Sequence, residues 1–177
     1  MLDIFRTLIA NQYEAALCTL NACVDKCPQA AWNGPVVNIK FCQVAFHTLF
    51  YADYYLGVTE DPFRQQAFHR EHADVFRDYE ELEPHAPVHL YEKAWIEVYV
   101  EFCRQKAVDV SKSETAESLA APAGFPRKPF TRAELHVYNI RHIQHHAAQL
   151  SMRLRLDSQI DVPWFRSGWN RSVKEEG

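Results

Sequence analysis

The sequence predicts an all-α protein built as a four-helix bundle, and three observations carry that reading. Hydrophobic residues make up 47% of the 177 residues and aromatics 13%, with only five glycines. Such a chain is too apolar for disorder and too poor in turn formers for an all-β fold. Apolar side chains recur at spacings of three and four over several long stretches, the period of an amphipathic helix. Proline, glycine and one capping signature separate those stretches. No shift in composition divides the chain, so residues 1–177 are taken as a single domain.

The first helix is predicted over about residues 2–26, where Leu2, Phe5, Ile9, Ala16, Leu20 and Cys23 mark one face and Pro28 ends the run. Its Cys23 and Cys27 are spaced for a metal, but Cys23 continues the apolar face and Cys27 precedes a proline, so both read as packing residues. Trp32-Asn33-Gly34-Pro35 is a turn, and Asn38 is the expected cap of a second helix that runs to about Leu56, with Gly57 as its stop. Residues 58–87 show no clear period; a connection of this length in a bundle crosses over or lids a pocket. Its His69 and His72 sit among Arg70, Glu71 and Asp74 and read as a solvated face, and His85 has no assigned role.

The third helix is expected from about Val88 to Val110, buried through Tyr91, Trp95, Val98 and Phe102. Ser111 to Pro129 is a surface connection with three prolines and at most a short helical turn. Thr131 and Glu134 then form a capping-box signature that opens the fourth helix, which is expected to reach about Leu156. Its apolar seam is Ile140, Ile143, Ala147, Leu150 and Leu154. The remaining tail, with Trp164 and Trp169, is expected to pack back onto the bundle or onto a second subunit.

The formal charge of −4, from 19 basic and 23 acidic residues, gives no electrostatic reason to expect nucleic acid or an anionic membrane as partner. An acidic residue stands near the N-terminus where a secretory leader would be basic, and no apolar run approaches the ~18 residues of a spanning helix. A soluble, cytoplasmic protein is expected. The five cysteines fit buried free thiols in a reducing compartment.

Three of the nine histidines fall within residues 142–146. His142 and His146 are one helical turn apart and leave the same side of the fourth helix, beside its buried seam, whereas His145 points elsewhere. His47 stands on the second helix among Gln43, Phe50, Tyr51 and Tyr54. If the second and fourth helices are neighbours, His47, His142 and His146 make a three-imidazole site with open positions, the pattern of a catalytic rather than a closed structural ion. Imidazoles suit zinc, nickel, copper, cobalt or iron. Protons should compete for such ligands between about pH 7 and pH 5. Gln43, Tyr51 and Asn139 are the candidates to contact a substrate or to close the site as a fourth ligand. A di-iron bundle is excluded because Glu-x-x-His occurs nowhere in the chain, and no phosphate loop, nucleophile elbow or zincin motif is present.

Phe46-His47-Thr48-Leu49, together with Asn139-Ile140-Arg141-His142-Ile143-Gln144-His145-His146-Ala147-Ala148-Gln149-Leu150, resembles the DinB/YfiT-like metalloenzymes. Their signature is a histidine in helix 2 and an HxxxH pair in helix 4, and the chain departs from their usual pattern at Ala147-Ala148. The resemblance implies an up-down-down-up bundle, often a homodimer, with nickel or zinc on His47, His142 and His146. It also implies transfer or isomerisation chemistry on a small electrophile, using a low-molecular-weight thiol or water. The alternative is a metal-binding stress-response or interaction module without turnover.

Overall fold

Four long helices take the places that the apolar periods assign to them, in a computed structural model that describes residues 1–77 and 79–169. Helix α1 spans Leu2–Lys26, and a small hairpin, β1 Pro35–Val36 and β2 Ile39–Lys40, leads into α2, Phe41–Leu56. The crossover holds three short helices, α3 Glu60–Arg64, α4 Ala67–Glu71 and α5 Ala73–Phe76, and a 3-10 turn at Glu80–Leu82. Helix α6 is Lys93–Ser113, α7 is Ala116–Ala120 and α8 is Arg132–Ser158.

Side-chain pairs fix the directions of the long helices. Tyr13 meets His136 and Cys23 meets the Ala147 carbonyl, so α1 and α8 run the same way. Asn139 Nδ2 donates to Ala52 O and Arg132 to Tyr55 O, so α2 runs against α8. Cys103 reaches Leu49 O and Lys106 reaches Asp53, so α6 runs with α2. The bundle is therefore up-down-down-up. Each of α1 and α2 packs on both α6 and α8.

Of the sixteen residues of α2, only His47 and Tyr51 are not buried. Helices α6 and α8 cover two of its sides and the crossover covers a third, which explains why α2 is apolar nearly all round. Phe46 stacks on Tyr91 with ring centroids 3.8 Å apart, and Phe68 on Phe102 at 4.0 Å. At the far end, the Arg132 guanidinium donates to the carbonyls of Tyr55, Leu56 and Gly57 and so satisfies the open C-terminus of α2. Gly124, at φ +81°, is required where the chain before α8 passes α2's exit, since a Cβ there would lie 2.5 Å from Val58 O.

Four expectations are corrected. Asn38 does not cap α2; it lies in the hairpin turn beside Val37, and Lys40 is the N-cap residue, its N–H donating to Gln43 Oε1 at 2.8 Å. The third long helix begins at Lys93, not Val88. Residues 87–89 are held out of the helix because Gln43 Nε2 donates to Pro87 O and His89 O while Glu80 accepts from Val88 N. Its buried face is Ile96, Tyr99, Val100, Cys103 and Ala107, with Val98 49% exposed, because α6 must fill the angle between α1 and α2.

The fourth correction concerns His69, which is buried rather than solvated. Its Nε2 lies 2.8 Å from Asp53 Oδ2, and its ring stacks on Phe76 at 3.7 Å. Asp53 also accepts from Tyr99 OH and from Lys106, whose ammonium meets Gln66 Oε1 at 2.7 Å. Burial alone would raise the Asp53 pKa; the His69 hydrogen bond and the Lys106 charge outweigh it and hold the carboxyl below its usual range. His72 is half-buried against Phe68, and His85 is exposed.

All five cysteines are buried, and none is in a disulfide. Trp169 packs back onto the bundle over Arg104, with Gly168 N donating to Asn11 O, while Trp164 stays 67% exposed. Residues 170–177, the end of the expected single domain, lie outside the described residues. Among those described, no helix is long and apolar enough to cross a membrane.

Candidate metal centre

The antiparallel contact of α2 with α8 places His47 opposite the His142/His146 turn. Ring centroids are 5.5 Å apart for His47 and His142, 4.9 Å for His47 and His146, and 4.7 Å for His142 and His146. One ring nitrogen from each lies within 4.8 Å of the other two, a spacing at which the three could hold one ion. All three side chains are half-buried, at the one place where α2 is not fully covered.

Their neighbours set which nitrogen is available. Glu81 Oε2 lies 2.6 Å from His47 Nδ1; a carboxylate only accepts, so Nδ1 carries the proton and Nε2 keeps its lone pair. Gln149 Oε1 takes the same part for His146, 2.8 Å from its Nδ1. His142 Nδ1 is buried and meets no hydrogen-bond partner among the described residues. Burial, with the neighbouring His146 and His47, pushes the His142 pKa down to about 3. Burial also lowers His146, to about 4, against the opposing pull of Gln149. Both are therefore neutral near pH 7, the state a metal ligand needs.

The donor set fits a divalent ion: neutral imidazoles converging from two packed helices, two with the remote nitrogen oriented by an acceptor. No other cysteine, histidine or carboxylate joins the cluster among the described residues.

The profile of the DinB family matches residues 37–166. The chain belongs to the DinB family. No curated protein and no solved structure matches it. The match takes in α2, the crossover, α6 and α8, and with them all three histidines of this DinB-family chain.

The other sequence-selected residues separate. Tyr51 borders the cluster, its ring 4.8 Å from that of His47 and 5.8 Å from that of His142, and its hydroxyl donates to Glu81 O. Gln43 spends its amide on Lys40 N, Pro87 O and His89 O, which ties the crossover to α2. Asn139 is fully buried and bonds to Ala52 O. His145 is exposed and outside the cluster. Sequence reasoning missed Glu81. Nothing local distinguishes it from exposed Glu83 in the same acidic run. Gln149 was more legible, since it follows His146 by three residues on one helix.

Proposed function

We propose that this DinB-family protein is a metal-dependent enzyme in which His47, His142 and His146 hold a divalent ion, nickel or zinc, beside a cleft open to a small molecule. The observation that carries the reading is a three-histidine set that no further histidine, cysteine or carboxylate joins among the described residues. Gln43 Oε1 is spent on Lys40 N, Asn139 Nδ2 donates to Ala52 O, and the Tyr51 hydroxyl donates to Glu81 O, so each of the three is drawn into the scaffold of α2. A bundle that used the ion only as a brace would close its coordination with a fourth side chain.

When bound, such an ion supplies Lewis acidity that makes a thiol or water a nucleophile near neutral pH. The chain's own groups do the rest. Glu81 and Gln149 hold the remote nitrogens of His47 and His146, and Tyr51 walls the cluster on the α2 side. A cleft of about 500 Å³ lies beside His142, lined by Tyr138, Arg141, Gln144 and His145. Arg141 makes no ion pair among the described residues, and Lys128 Nζ donates to Tyr138 OH at 3.0 Å. This positive rim suits an anionic small molecule, such as the carboxylates of a low-molecular-weight thiol.

The test is metal analysis of untagged protein followed by transfer assays with thiols and electrophiles. The expected result is about one ion per chain, lost in His142→Ala, and thiol- or water-dependent turnover that a chelator abolishes. Full metal content with no turnover for any thiol or water reaction would favour a binding module instead.

A further inference from the structure

The crossover does more than cover α2: it delivers a carboxylate to the metal cluster from outside the helices that carry the histidines. Glu81 lies on the 3-10 turn Glu80–Leu82, and its side chain is only 5% exposed. Its Oε2 meets His47 Nδ1 at 2.6 Å, and its Oε1 is buried with no donor among the described residues. A carboxylate with one oxygen unanswered is costly to bury, so a purely structural origin accounts for it poorly.

The turn itself is held in place by bonds that do not involve the cluster. Tyr51 OH donates to Glu81 O at 2.8 Å. Neighbouring Glu80 accepts from Val88 N at 2.8 Å and from His89 N at 3.3 Å, and its Oε2 lies 2.8 Å from His89 Nδ1. Backbone hydrogen bonds close the turn between Tyr79 and Glu83. The fold therefore anchors this segment on both sides of Glu81 while leaving the Glu81 side chain to the cluster.

The geometry points to Glu81 as a positioning residue for the metal centre: its hydrogen bond from His47 Nδ1 fixes the tautomer and the ring angle that turn Nε2 toward the ion. The inference rests on the three-histidine reading above. A carboxylate behind a ligating imidazole raises its donor strength, and loss of such a partner weakens metal binding by about 10–100-fold.

Two measurements test this, one of them without metal. In apo protein, long-range proton–nitrogen NMR reads the His47 tautomer. Wild type should show Nδ1 protonated and Nε2 bare; Glu81→Ala should show a mixture; Glu81→Gln, whose amide oxygen still accepts, should retain the wild-type form. Co(II) titration, followed by its visible d–d absorption, then gives affinity. Glu81→Ala should lose about 10–100-fold with a shifted spectrum, and Glu81→Gln should lie nearer to wild type. An unchanged tautomer in Glu81→Ala, or wild-type Co(II) affinity in that variant, overturns the positioning role. Equal impairment of both variants also overturns it, by assigning the effect to charge. Failure of wild type to bind Co(II) would sink the metal reading alone, and the tautomer measurement would still decide the role of Glu81. Should Glu81→Ala fail to fold, the near-isosteric Gln variant carries the tautomer test, and an Nε2-protonated His47 in it overturns the assignment.

Discussion

Helix α8 carries two histidine clusters about two turns apart, one buried and one half-buried, and they are built on opposite rules. Around His136 every polar group has a partner: Nδ1 accepts from Tyr13 OH at 3.1 Å, and Nε2 donates to Glu114 Oε1 at 3.0 Å. Glu114 Oε1 also accepts from Arg132 Nε at 2.8 Å, and Arg132 ends on three α2 carbonyls. In the cluster of His142 and His146 the one carboxylate, Glu81, meets His47, and His142 Nδ1 has no partner among the described residues. The first cluster ties α1, α2, α6 and α8 together; the second leaves donor capacity unspent. A satisfied polar cluster stabilises a fold, and an unsatisfied one at a half-open position marks a site.

The largest test of this contrast removes a member from each side. Glu114→Ala leaves Arg132 buried without its carboxylate, which costs about 3–5 kcal/mol. For a chain of this length that lowers the melting temperature by roughly 10 °C, while metal affinity stays near wild type. His142→Ala should do the reverse, with little change in apo stability and at least a ~100-fold loss of metal affinity, beyond the upper end for an outer partner. Thermal melts with and without chelator, alongside competition titrations, separate the two. Comparable loss of metal binding in both variants would show that the clusters act as one unit.

Acid should sharpen the same division, because His142 and His146 titrate in a different window from Glu114. His142 and His146 sit at about 3 and about 4 when folded, against 6.5 as the ordinary value. The unfolded chain then binds more protons below 6.5, so apo stability falls as pH drops from 6.5 through 4 toward 3. His136, lowered by burial, adds to this window. For Glu114, burial is outweighed by hydrogen bonds from His136, Ser118 and Arg132, which hold it at about 2 against 4.5. Its contribution is complete above 4.5 and lost as pH falls toward 2. The double variant His142→Gln/His146→Gln should flatten part of the upper window and leave the lower one intact. A melt series that loses the lower window in that variant would break the assignment. Chelator-dependent melts between pH 7 and pH 5 test separately whether protons displace the ion in that range.

What the sequence made legible follows the same line. The cluster was readable because His142 and His146 share a helical face and both helices have strong periods. The Thr131 cap and the Gly57 stop lie at helix ends, where local chemistry decides, and the structure places them as expected. The face of α6 was misread because Trp95 and Phe102 turn toward the crossover, through rings such as Phe68, rather than into the four-helix core. Glu81 and the Asp53–His69–Lys106 network depend on how residues 60–92 fold over α2, and those contacts span 16 to 53 positions. No local pattern encodes them.

The smallest expected effect belongs to His145, which is adjacent in sequence to His146 yet belongs to neither cluster. It is exposed, its ring 5.0 Å from that of His146, and its Nε2 accepts from Gln149 Nε2 at 3.3 Å. The other end of that same amide holds His146 Nδ1 at 2.8 Å, so His145 touches the site only through Gln149. Removing it frees an exposed amide to bond with water, an exchange that costs little at a surface. His145→Ala should therefore change metal affinity by no more than about twofold and stability by less than ~0.5 kcal/mol. Gln149→Ala, which removes the acceptor behind His146, should cost more, within the ~10–100-fold of an outer partner. Metal titration of the two variants side by side checks the order. A larger loss for His145→Ala than for Gln149→Ala would mean that the cluster draws on His145 directly, and the boundary between ligand and neighbour on α8 would have to be redrawn.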